Sequence, residues 1–99
     1  MERATALQIL QENAAELRWL GAVSVSLFGS QARGSSTSAS DIDVAVKLDP
    51  TVRGFYAFGA LDRIQSRLGE LLRGKVDVIP EPTAGPLKAT IERDRCIVF

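Results

Sequence analysis

Val23-Ser24-Val25-Ser26-Leu27-Phe28-Gly29-Ser30, ten further residues, then Asp41-Ile42-Asp43-Val44-Ala45-Val46-Lys47-Leu48: the reading of this stretch decides how the chain folds. In residues 23–28, Val23, Val25 and Leu27 alternate with Ser24, Ser26 and Phe28. A period of two is that of a β-strand. Residues 41–48 repeat the period, with Ile42, Val44, Val46 and Leu48 on one face and Asp41, Asp43, Ala45 and Lys47 on the other. Asp49-Pro50 ends the second strand. Between the strands, residues 29–40 hold two Gly and five Ser. They read as a turn, a short helical stretch and a loop.

The flanking segments are helical or strand-like in turn. Over residues 2–19, Leu7, Leu10, Ala14 and Leu17 recur at three- and four-residue steps, which predicts one amphipathic helix stopped at Gly21. A second helix is predicted over 55–73, with Phe58, Leu61, Ile64, Leu68 and Leu71 as its buried stripe and Gly74 as its C-cap. Residues 76–79 form a short strand closed by Pro80 and Pro82. Pro86 opens a last helix with Leu87 and Ile91 facing inward, and residues 96–99 form a terminal strand. The expected class is α/β (α+β), a small mixed sheet flanked by helices. At 99 residues the chain is expected to be one domain, spanning 1–99.

Composition narrows the chemistry. Apolar residues make up 45% and charged residues 24%, a globular profile. Lys+Arg and Asp+Glu are 12 each, so no basic field draws the chain to nucleic acid, and no direct nucleic-acid binding is expected. A near-zero charge is compatible with an oligomer or a bound partner. There is no histidine, so a Ser-His-Asp triad, a Cys-His pair and a histidine zinc site are excluded. A general base must be a carboxylate, a lysine or water. Cys96 is the sole cysteine and cannot form an internal disulfide, which fits a reducing compartment. No apolar run approaches a membrane span, and no signal pattern opens the chain, so a cytoplasmic location is expected.

Three features carry chemistry. Asp41 and Asp43 point to one face of a strand, about 6–7 Å apart. Unscreened they repel, and an oxygen-only pair suits Mg²⁺ or Mn²⁺. An isolated Asp-x-Asp is nevertheless more often a solvated strand face than a metal site. Gly29-Ser30 at a strand end lets backbone approach a phosphate, with the Ser30 hydroxyl as a further donor, although Gly-Ser there is more often a plain turn. Asp77 lies inside the apolar strand 76–79, where an unpaired carboxylate is costly to bury. It joins the pair if the third strand lies beside the second, and is solvated if that strand is an open edge. A Walker loop is excluded, because Gly34 is followed by Ser35 and Ser36 instead of Lys-Ser/Thr.

Taken together, Phe28-Gly29-Ser30-Gln31-Ala32-Arg33-Gly34, Ser40-Asp41-Ile42-Asp43-Val44 and a distant strand aspartate resemble the signature of the DNA polymerase β-like nucleotidyltransferase superfamily. Within it the chain looks like the minimal nucleotidyltransferase (MNT) branch, over essentially its whole length. The Ser-rich loop departs from relatives that carry an extra Asp, Arg or Pro there. The resemblance implies two-metal displacement at the α-phosphate of ATP, with Mg²⁺ (two ions) or Mn²⁺. Asp41, Asp43 and Asp77 would be the metal ligands, and Asp77 would accept the acceptor's proton. Gly29 and Ser30 would hold the β/γ-phosphates, and Arg33 would balance phosphate charge or steady the loop against an acidic neighbour. Lys47 reads as a phosphate contact or, more simply, as an exposed strand-end lysine. MNT proteins are typically antitoxins encoded with a HEPN-domain ribonuclease toxin, so the resemblance implies AMP transfer onto such a partner. Two other readings stay open: a binding module acting by contact alone, and a small-molecule nucleotidyltransferase of the aminoglycoside type.

Overall fold

The computed structural model describes residues 2–34 and 41–99; the expected Ser-rich loop, 35–40, lies outside the described residues. Four strands form one sheet: β1 (Ala22–Phe28), β2 (Ile42–Leu48), β3 (Val76–Glu81) and β4 (Cys96–Ile97), in the order β3-β2-β1-β4. β1 runs antiparallel to β2 and β4, whereas β2 and β3 are parallel. A parallel pair needs a long crossover. The 18-residue α4 (Phe55–Leu72) supplies it. The other helices are α1 (Arg3–Glu12), α2 (Ala14–Trp19), α3 (Gly29–Arg33) and α5 (Gly85–Asp94). The expected mixed sheet flanked by helices is therefore present, and no described helix is long and apolar enough to cross a membrane.

Both faces of the sheet are covered. Val25, Leu27, Ile42, Val44, Val46 and Val76 pack against Leu10 and Leu17 of α1 and α2 and against Ile64 and Leu68 of α4. On the opposite face, Ile91 of α5 covers Phe28 and Ala45. Ser26 on that face is fully buried, and Arg95 satisfies it: Nη1 donates to Ser26 Oγ and to Glu81 Oε1, both at 3.0 Å. A buried hydroxyl without a partner would be costly, so this guanidinium fixes the junction of α5 and β4 to the sheet.

Several local expectations are corrected. The first helix is two, broken at Asn13 (φ −106°, ψ 15°), whose Nδ2 donates to the Ile9 carbonyl at 2.8 Å. A side-chain amide competing for backbone acceptors favours such a break. Val23 points outward (44% exposed), because the β1–β2 register shifts between Ala22 and Ser24 and turns Ala22 inward instead. Phe58 does not join the α4 stripe; it is 73% exposed, while Ala60, Ile64, Leu68 and Leu72 are buried. Six residues before Ile64, it lies about 120° around the helix. Leu61 and Leu71 are half-buried. Arg73, not Gly74, takes the left-handed C-cap conformation (φ 53°, ψ 46°). β3 runs through Pro80 to Glu81, which an edge strand tolerates. In α5 only Ile91 is buried, and Leu87 is exposed. β4 is two residues long, with Val98 and Phe99 N–H groups both bonded to the Val25 carbonyl.

The corrected stripe is testable by denaturant melts. Leu68→Ala is expected to cost about 3 kcal/mol, as for a fully buried leucine. Phe58→Ser should change stability by no more than about 0.5 kcal/mol. A large loss in Phe58→Ser would show that its ring is buried after all.

Candidate functional site

The site is built where β1 ends. Phe28 is the register partner of Asp43, so the chain leaving β1 turns directly over that carboxylate. Gly29 makes the turn with φ at +70°, in the left-handed region. A Cβ added there would stand 2.5 Å from Asp43 Oδ2. Both the backbone conformation and the space require glycine. α3 starts at Gly29 itself, and Ser30 sits half-buried in its first turn. The far end of α3 is held by Arg3, whose Nη1 donates to the Ala32 carbonyl at 2.8 Å.

The carboxylates come from two strands. Asp43 pairs with Asp77 across the parallel β2–β3 ladder, where neighbouring strands lie about 4.8 Å apart. Asp41 lies two residues before Asp43 and so on the same face. The Ile42 N–H bonded to the Lys75 carbonyl at 3.0 Å begins the ladder beside it. Burial raises the Asp43 pKa above its ordinary value of 3.8; the charges of Asp77 and then Asp41 push it further up, and Arg33 opposes them. The third strand does lie beside the second, as Asp77's inclusion required. Among the described residues, no three such side chains close tightly enough to hold one ion. The chemistry of the set still fits a hard divalent cation, since all donors are carboxylate oxygens and their shared repulsion is what such an ion relieves.

The basic residues divide. Arg33 Nη1 binds Asp94 Oδ2 at 2.6 Å, so its acidic neighbour is on α5, 61 residues away in sequence. Lys75, which sequence reading passed over, pairs with Asp41 at 3.6 Å. Its place two residues before Asp77 was the available signal. Nothing local pointed to Asp94 or Arg3. Lys47 shares the carboxylate face but lies four residues beyond Asp43, about 13 Å along the strand. There it lines a cleft of about 300 Å³ with Ser24, Glu81, Pro82 and Arg95, away from the aspartates.

Two measurements check this geometry. Because the folded state raises the Asp43 pKa, it holds that proton more tightly than the unfolded chain does. The contribution of Asp43 to stability is therefore greatest below about 3.8 and is lost as pH rises through its folded value. Asp43→Asn should melt higher than the parent at pH 7, by roughly 2–4 °C, and the gap should shrink toward pH 4. Gly29→Ala should cost about 2 kcal/mol, since strain and the Asp43 clash add. An unchanged melt for Gly29→Ala would contradict the close approach.

Comparison with known proteins agrees with this architecture. Residues 8–99 match the family model described as nucleotidyltransferase domain. A structure described as a minimal nucleotidyltransferase shares 31% identity at a TM-score of 0.76, covering 97% of this chain and 95% of that one. A Shewanella oneidensis MNT antitoxin in complex with its tri-AMPylated HEPN toxin superposes at a TM-score of 0.60 with 20% identity, over 94% of this chain and 71% of that one. A toxin-antitoxin structure with AMP-PNP gives 0.65 and 19% identity, over 100% of this chain and 73% of that one. Among curated proteins none matches in sequence. By the family match over residues 8–99, the chain belongs to the nucleotidyltransferase domain family, with the fold of its minimal members.

Proposed function

We propose that this nucleotidyltransferase moves AMP from ATP onto a protein, and that the acceptor is a HEPN-domain toxin which the transfer neutralises. One observation carries the reading: Asp43 lies directly under Gly29, with Asp77 opposite it on β3 and the charge of Asp41 acting on it. Asp41, Asp43 and Asp77 would hold Mg²⁺, two ions, or Mn²⁺ in its place. Such ions supply neutralisation of the triphosphate and of charge developing at the α-phosphorus. Gly29 backbone and the Ser30 hydroxyl bind the β- and γ-phosphates, and the Arg33 guanidinium balances their charge. Asp77 accepts the proton of the attacking hydroxyl. A new bond joins the acceptor oxygen to the α-phosphorus, the bond from that phosphorus to the bridging oxygen breaks, and pyrophosphate leaves.

A protein acceptor is supported by the surface. Trp19, Phe55, Tyr56 and Phe58 are 73–92% exposed, and aromatics of this kind are enriched at protein interfaces. The fold neighbours that are MNT antitoxins point to the same partner class. The exposed aromatics also suit a second reading, in which the domain neutralises its partner by contact alone.

Incubation with α-labelled ATP, Mg²⁺ and candidate HEPN-domain proteins of the same genome separates the readings. Label should appear on the toxin and fall by roughly a hundred-fold or more in Asp41→Asn and in Asp43→Asn. Label persisting in both variants would sink the site assignment. Neutralisation of a co-expressed toxin by Asp43→Asn would favour contact alone.

A further inference from the structure

Lys47 shares its sheet face with the aspartates but takes no part in the chemistry proposed there. Ser24, Lys47 and Glu81 are register partners across β1, β2 and β3, so they form one row of the sheet. With Pro82 and Arg95 they line the cleft of about 300 Å³. That volume is at the small end of ligand pockets. Ala45 and Ile79, paired one row nearer the aspartates, are packed with Phe28 and Ile91. Apolar side chains therefore separate the two ends of the face.

The donors of the cleft are set before any ligand arrives. Arg95 is anchored from two sides. Its Nη1 donates to Oγ of the fully buried Ser26 and to Glu81 Oε1, and its Nη2 donates to Glu81 Oε2. The Arg95 side chain is only 27% exposed and that of Glu81 17%. The pair is bidentate, so the Glu81 charge is spent on Arg95. Lys47 stands beside Glu81 in register, yet it makes no ion pair among the described residues. The cleft wall thus carries two positive charges against one negative, on a domain whose formal net charge is zero. The Ser24 hydroxyl adds a neutral donor at the far end of the row.

An oxyanion suits this wall. A planar carboxylate is best held by an arginine fork, and the fork of Arg95 is already closed on Glu81. What remains is a point charge at Lys47, the outstanding N–H groups of Arg95 and a hydroxyl. A tetrahedral phosphate has oxygens to meet donors spread over several directions. The modest volume and the lack of a net positive charge favour a small molecule over a nucleic-acid backbone. We propose that this cleft is a second binding site, for the phosphate group of a small phosphorylated molecule, with Lys47 and Ser24 as its main contacts and Arg95 as a fixed wall. The Pro82 ring is an apolar surface for the rest of that molecule. The site is separate from Gly29 and Ser30 and does not depend on nucleotidyl transfer.

The test is titration of the intact, ¹⁵N-labelled chain with inorganic phosphate, read by NMR at constant ionic strength without divalent cation. Under those conditions the aspartate end repels the anion. Signals of Ser24, Lys47 and the Arg95 Nε–H should move together, with a Kd of about 1 mM. Lys47→Met, at an exposed position, should raise that Kd about ten-fold, and Ser24→Ala about three-fold. Lys47→Arg, which keeps the charge, should stay within about three-fold of the parent. Malonate, a dicarboxylate, should bind at least about five-fold more weakly than phosphate. No movement of these signals up to about 20 mM phosphate overturns the proposal. So does an unchanged Kd in Lys47→Met, and so does movement confined to Gly29 and Ser30. Equal affinity for malonate overturns the choice of phosphate. A short oligothymidylate that shifts the same signals at lower concentration than phosphate overturns the choice of a small molecule.

Discussion

Asp43 and Asp77 face each other across the β2–β3 ladder, like charge beside like charge. Nothing about the two carboxylates holds them there. The opposite face of the same strands does. Ile42, Val44, Val46 and Val76 are buried in the larger core, and that burial pins the register. A slip of one residue would turn Asp43 into the core and expose the valines. Burying those side chains is worth roughly 2 kcal/mol each, which outweighs the fraction of a kcal/mol by which paired like charges repel. The hydrophobic pattern thus compels an electrostatic arrangement that is unfavourable by itself and suited to a cation.

The same trade recurs at Gly29. A glycine with φ at +70° is needed because the Asp43 carboxylate lies where a Cβ would go. The turn costs conformational entropy relative to alanine, and it brings backbone against the acidic face. α3 is then tied at its end by contacts from distant segments, Arg3 onto the Ala32 carbonyl and Asp94 onto Arg33. A helix of five residues has little stability alone. Its orientation over the carboxylates comes from α1 and α5.

The face of the sheet under α5 is consequently polar at both ends and apolar between them. The aspartates occupy one end. Phe28, Ala45 and Ile91 fill the middle, and Ser24, Ser26, Lys47, Glu81 and Arg95 gather at the other. A formal net charge of zero hides this separation. The domain has no global field, but it has a local negative one at the end where Gly29 turns.

Much of this was legible in the residues. Strict period-two patterns in 23–28 and 41–48 announced two strands, because side chains alternate across any pleated sheet. Asp41 and Asp43 shared a face by the same rule, and Gly29 at a strand end marked a close backbone approach. The sequence by itself therefore determined the elements, their apolar faces and the carboxylate pair. Tertiary structure alone decided that β3 lies parallel beside β2 with Asp77 opposite Asp43, since strand order depends on how α4 packs across the sheet. It alone turned Val23 outward through a register shift, and left Phe58 in solvent where residues 55–73 offered more apolar positions than one helix face can bury. It alone joined Arg33 to Asp94, 61 residues apart, because an ion pair between elements leaves no periodic trace in a chain.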